Sequence, residues 1–182
     1  MRGLKKLRFL LETCANPEQY LFGLSDVSPV FPELSGPALK MLMSRAVSDG
    51  LLRPVCRGIY LYDRLTFPSS LVLYHAASKL RADTFNYISL ESALSDAGVI
   101  SQIPLQWLSL MSGGRSAVIT CSSWGTLEFV HTEKKPAQLA GQLVYDERCR
   151  LWRAPFALAL RDMKACRRPL DLVDWSVVDE PL

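Results

Sequence analysis

The stretch at residues 35–62, SGPALKMLMSRAVSDGLLRPVCRGIYLY, constrains the fold more than any other part of the chain. Ser35 or Gly36 opens a helix, because serine suits an N-cap and Pro37 then falls in the first turn, where its missing N–H costs little. Leu39, Leu42, Met43, Ala46 and Val47 recur at the spacing of one buried helical face. Ala38, Lys40, Met41, Ser44, Arg45 and Ser48 fall on the other faces, and Gly50 stands where a helix is stopped. Leu51-Leu52-Arg53 and Gly58-Ile59-Tyr60-Leu61-Tyr62 read as β segments joined through Pro54-Val55-Cys56-Arg57. With a short helix before it, this pattern predicts a winged helix-turn-helix. Such a helix fits a major groove while the wing reaches neighbouring phosphates, so Lys40, Ser44, Arg45, Arg53 and Arg57 are the candidate DNA contacts. Each is equally a residue of the kind that lines any solvated surface.

Upstream, Leu4, Leu7, Phe9, Leu10 and Leu11 recur near helical spacing and Asn16-Pro17 closes the segment, predicting a first helix over residues 3–14. Lys5, Lys6 and Arg8 lie largely off its apolar face, as phosphate contacts or as a solvated face; Lys5 and Lys6 join the candidates. Leu24-Ser25-Asp26-Val27 starts a short helix with Ser25 as N-cap, kept short by Pro29 and Pro32. Residues 63–69 read as a linker, which divides the chain into a DNA-binding domain at 1–66 and an α+β interaction domain at 67–182. The net charge of +3 is uneven: residues 1–68 carry nine Lys/Arg against six Asp/Glu, and the remainder carries twelve of each. The excess lies where an electrostatic footprint for nucleic acid belongs.

The second part begins with a helix from Ser70 that contains His75, read as a packed or surface histidine, and a shorter helix in SLESALSDAG that Ser89 or Ser92 can cap and Gly98 ends. From residue 104 to 130 the period changes. Leu105, Trp107, Leu108 and Leu110, then residues 116–121, then residues 126–130 suggest three strands, joined at Gly113-Gly114 and near Trp124-Gly125. Val144-Tyr145 and residues 149–152 supply further β pairing, and Pro155 starts a last helix with Phe156, Leu158, Ala159, Leu160 and Met163 facing inward. The expected fold is α+β, a winged helix followed by a mixed α/β domain with a small, mainly antiparallel sheet. The acidic tail from residue 170 either docks back or is offered to a partner.

Five cysteines without CxxC spacing are read as small buried hydrophobes, neither a disulfide framework nor a zinc knuckle. His75 and His131 are far apart and lack acidic neighbours, so no metal site is expected. No Walker loop, HExxH pair, GxSxG elbow or Rossmann fingerprint occurs, and Gly58-Ile59-Tyr60 lacks the YIG that a GIY-YIG nuclease would require. Asp171 and Asp174 have no catalytic company. The chain is therefore expected to be no enzyme and to need no cofactor. With no bilayer-spanning run and no signal-peptide pattern, it is expected in the cytoplasm without a membrane partner.

ALKMLMSRAVSDGLLRPVCRGIYLY resembles the helix-and-wing segment of the AbiEi family of antitoxins, where a basic residue in the helix, a glycine stop and an R-G-hydrophobic-Tyr strand recur. YISLESALSDAGVI, residues 87–100, resembles the family's second landmark. LWRAPFALALRDM is similar to its late helix but lacks the acidic residue and the early alanines that the family's helix carries there. The resemblance implies the antitoxin of a bacterial toxin-antitoxin, phage-defence operon. Its winged helix would bind inverted repeats in its own promoter, a second copy taking the other half. Its C-terminal domain would be needed to neutralise a nucleotidyltransferase toxin, directly or without a stable complex. The alternative is a protein-interaction module in which the winged helix is only a scaffold.

Overall fold

The computed structural model describes residues 2–100 and 106–178. Two compact units make up the chain, Met1–Leu80 and Arg81–Leu182. The first therefore takes in residues 67–80, which lie beyond the 66/67 boundary expected from the linker composition.

In the first unit, helix α1 (Arg2–Cys14) buries Leu7 and Leu11 completely, with Leu4 and Leu10 packed beside them. Phe9, expected among the inward residues, is 72% exposed. At about 100° per residue it sits across the helix from Leu7 and Leu11. Asn16 ends α1 as an Asx turn, its Oδ1 accepting the N–H groups of Glu18 and Gln19 at 2.8 and 2.9 Å. A strand not anticipated from sequence follows, β1 (Leu21–Gly23), all three of its residues buried. Helix α2 (Leu24–Val27) is capped at Gly23 rather than Ser25: Asp26 Oδ2 accepts the Gly23 N–H at 2.6 Å. The aspartate reaches back to the chain entering the helix, and the serine is left in solvent.

Helix α3 (Gly36–Ser48) follows, with Ser35 Oγ accepting the Ala38 N–H at 3.4 Å and Leu39, Leu42, Met43 and Ala46 buried. Gly50 adopts φ +65°, and the Leu51 N–H returns to the Ala46 carbonyl at 2.8 Å, the hydrogen bond of a glycine-stopped helix. Strands β2 (Arg53–Cys56) and β3 (Ile59–Leu61) then pair antiparallel, giving a sheet of order β1-β3-β2. The residues expected to connect the two strands are thus mostly β2 itself, and Leu51 and Leu52 are core residues ahead of it. Pro54 is tolerated because β2 is an edge strand and is bulged there. Helix α4 (Val72–Leu80) is tied into this unit by His75, whose Nδ1 is hydrogen-bonded to Tyr20 Oη at 2.8 Å, and by Lys79, whose Nζ lies 2.9 Å from Asp26 Oδ2.

The second unit carries β4 (Asn86–Ile88), α5 (Leu90–Asp96), β5 (Trp107–Ser112), β6 (Ala117–Thr120), β7 (Thr126–His131), α6 (Pro136–Leu139), β8 (Val144–Asp146), β9 (Leu151–Arg153), α7 (Phe156–Ala165) and α8 (Trp175–Val178). The six strands form one sheet of order β6-β7-β5-β4-β9-β8. It is mixed: three of its pairings are antiparallel, and the other two, β5 with β7 and β4 with β9, run parallel. Gly125 makes the first of these possible. At φ +123° it brings β7 alongside β5, where the Thr126 N–H donates to the Gln106 carbonyl at 2.7 Å, and a Cβ on Gly125 would lie 2.2 Å from that oxygen. Leu105, expected in the first of these strands, lies outside the described residues, as do residues 179–182 of the tail.

Asp162 on α7 is wholly buried. Its Oδ2 accepts from Tyr87 Oη at 3.0 Å and Ser89 Oγ at 2.7 Å, and Lys134 Nζ meets Oδ1 at 2.5 Å. Ser89 stands at the N-cap of α5 but spends its hydroxyl on Asp162, and Ser92 accepts the Ser109 N–H at 2.8 Å, tying α5 to β5; neither side chain caps the helix. Val173 bridges to Ile100, so the tail docks there, while Leu172 and Trp175 stay exposed. Among the described residues no helix is long and apolar enough to cross a membrane.

Candidate nucleic-acid interface

Helix α3 separates its two faces cleanly. With Leu39, Leu42, Met43 and Ala46 committed to the core, Lys40, Met41, Ser44, Arg45 and Ser48 are exposed. Lys40, Ser44 and Arg45, singled out from sequence, thus share the solvent side of one rigid element. Among the described residues, Lys40 and Arg45 have neither a hydrogen-bond nor an ion-pair partner for their charged groups. Ser48 Oγ donates to the Ser44 carbonyl at 3.2 Å, and Ser44 itself is exposed.

Arg57 occupies a two-residue turn between the paired Cys56 and Ile59. Gly58, at φ +86°, supplies the backbone conformation that closes this turn without Cβ strain. Arg57 is exposed and, among the described residues, unpaired. Arg53 differs, since its guanidinium lies 3.3 Å from Asp63 Oδ2. An exposed pair of this kind contributes only a few tenths to about 1 kcal/mol, so Arg53 can exchange its partner for a phosphate. On α1, Lys5 is exposed and, among the described residues, unpaired, whereas Lys6 is placed 3.6 Å from Glu33 and 4.7 Å from the centre of the Phe31 ring. The sequence candidates therefore divide into free cations (Lys5, Lys40, Arg45, Arg57) and engaged ones (Lys6, Arg53). Arg64, just after β3, is a further exposed cation without a partner among the described residues. Its position within the basic half of the chain is the signal that marks it.

The sequence matches no family model and no curated protein.

Two arginines of the second unit are built differently. Arg153 pairs with Asp96 and, at 3.0 Å, with Asp146. Arg168 bridges Glu91, at 3.4 Å, and Glu128. Burial works against the Arg168 charge, but the Glu128 hydrogen bond and the Glu91 charge outweigh it and hold the guanidinium above its ordinary pKa. These two are partly buried cations with their counter-charges beside them, whereas Arg115, Lys135, Lys164 and Arg167 of the same unit are exposed. Among the described residues no group of three or more His, Cys, Asp or Glu side chains is arranged to hold a metal ion.

The cysteines are all free, and the reading of them as small buried hydrophobes fits Cys56, Cys121 and Cys149 but not Cys14, which is exposed. Burial, and then the hydrogen bond to Asp146, pushes the Cys149 thiol up to about 12, so it stays protonated at neutral pH and is a poor nucleophile.

Proposed function

We propose that this chain is a DNA-binding transcriptional autorepressor whose first unit is a winged helix-turn-helix, acting as the antitoxin of a bacterial toxin-antitoxin operon. What supports the winged helix is connectivity: helix, strand, two helices and a two-stranded hairpin in that order, with the first strand paired to the last. The observation that carries DNA binding is the pair of unpartnered cations, Lys40 and Arg45, on the outer face of α3, with a third, Arg57, at the tip of the following hairpin. Seated in a major groove, α3 presents Ser44 and Arg45 to base edges or phosphates, and Arg57 grips the flanking backbone. A second copy occupies the other half of an inverted repeat in the promoter of the same operon.

Removing both charges in Arg45→Ala/Arg57→Ala is expected to weaken binding to that promoter at least tenfold in a gel shift while thermal unfolding stays within a few degrees of wild type, since both side chains are exposed. An unchanged shift would remove the assignment. The antitoxin role rests on the resemblance to AbiEi proteins carried by residues 38–62 and 87–100. Its test is co-expression with a nucleotidyltransferase encoded beside this gene: growth should be restored, and the Arg45/Arg57 variant should still restore it while failing to repress.

A second reading has its own observation. On the β8–β9 hairpin Tyr145 and Trp152 face each other across the strands, ring centres 5.2 Å apart, and both are exposed, with the exposed Val144 on the other face of the edge strand. An apolar sheet edge of this kind suits a protein partner. Co-purification with the neighbouring gene product at a fixed ratio, lost on Trp152→Ala, would establish that interaction.

A further inference from the structure

Met41 lies 57% exposed in the middle of the solvent face of α3. At 100° per residue, Ser44, Arg45 and Ser48 fall within about 60° of it, while the buried Leu39, Leu42, Met43 and Ala46 all lie about 100° or more away. Its neighbours on that face are therefore hydroxyls and a guanidinium, apart from Pro37 and the small Ala38 one turn back. Folding leaves more than half of this side chain in solvent. A single apolar group surrounded by hydrogen-bonding groups is too small for a protein-docking patch, which requires contiguous apolar area. It matches a surface that is itself polar with isolated methyl groups, and the major groove of DNA is such a surface: among its base edges, thymine alone adds an apolar C5-methyl to the donors and acceptors.

We propose that Met41 is a specificity residue that reads the C5-methyl of a thymine in the major groove, beside the base or phosphate taken by Arg45. The proposal rests on the reading of α3 as the recognition helix. The unbranched thioether adapts to the methyl without demanding one rotamer, and burying that contact excludes a cytosine edge, whose amino group would lose its water without gaining a partner.

Deoxyuridine removes the methyl and leaves every hydrogen-bonding group in place, so promoter duplexes with single thymine-to-deoxyuridine replacements isolate the contact. The expected result is a loss of affinity of about fourfold, the worth of one buried methyl, at one position in each half-site. Met41→Ala should bind the unmodified duplex about as weakly as wild type binds the deoxyuridine duplex, and should not respond to the replacement at that position. Wild-type binding that no deoxyuridine alters, or a Met41→Ala variant that still senses the methyl, overturns the proposal and leaves the DNA reading standing. If wild type does not bind the promoter at all, the reading of α3 falls, and Met41 with it.

Discussion

A carboxylate as deeply buried as that of Asp162 destabilises a fold unless donors surround it, and here Tyr87, Ser89 and Lys134 supply them. Asp162→Ala strands the Lys134 ammonium and two hydroxyls, so the second unit should lose about 3 kcal/mol of stability in a urea titration. A loss below about 1 kcal/mol would mean that the cluster is incidental. Gly125 has a different reason for its identity. Gly125→Ala forces a Cβ onto the Gln106 carbonyl at a positive φ and should cost more than Gly50→Ala, where the added carbon meets nothing within 4 Å and backbone strain of about 1–2 kcal/mol remains. Equal melting temperatures for the two variants would contradict the close approach. Asp162 was partly legible: it stands three and four residues after Ala159 and Leu158, on the apolar stripe of its helix, and an acid there signals a buried partner. That its partners come from residues 87, 89 and 134 was not legible, because such pairing depends on how the strands are ordered.

At the scale of elements, α3 and the β6–β7 pair could be read directly, since period and glycine stops are local. β1 could not: Leu21-Phe22-Gly23 is buried throughout, shows no alternation, and becomes a strand only by pairing with β3. For the same reason the sheet's parallel pairs were missed. The β8–β9 hairpin offers a pH test. Burial would raise the pKa of Asp146, but the N–H groups of Cys149 and Arg148 and the Cys149 thiol bring it below the ordinary carboxylate value. A carboxyl with a depressed folded-state pKa contributes stability in full above its unfolded value, about 3.9, and loses it as pH falls through the lower folded value. Amide protection of Arg148 and Cys149 should therefore hold at pH 5 and decline below about pH 4, whereas in Asp146→Ala it should be weak throughout. Protection that is the same in both proteins at pH 5 would contradict the role of the carboxylate.

For the molecule as a whole, charge is used in two ways. In the second unit the partly buried Arg153 and Arg168 face their acids and are spent on cohesion, while Arg115, Lys135, Lys164 and Arg167 are exposed. In the first, the charge excess visible in residues 1–68 includes cations left unpaired on α1, α3 and the β2–β3 turn. The sequence located that excess correctly but could not tell free cations from engaged ones, since the partners of Lys6 and Arg53 lie 27 and 10 residues away. The most direct test of this division is the salt dependence of binding to the gene's own promoter duplex, followed by fluorescence anisotropy for wild type and for Arg45→Ala/Arg57→Ala. Each phosphate contact contributes about −0.9 to the slope of log affinity against log salt, so the double variant should be shallower by nearly 2 if both arginines take phosphates and by about 1 if Arg45 reads a base. Identical slopes and affinities for the two proteins would contradict the claim that the free cations of the first unit hold DNA.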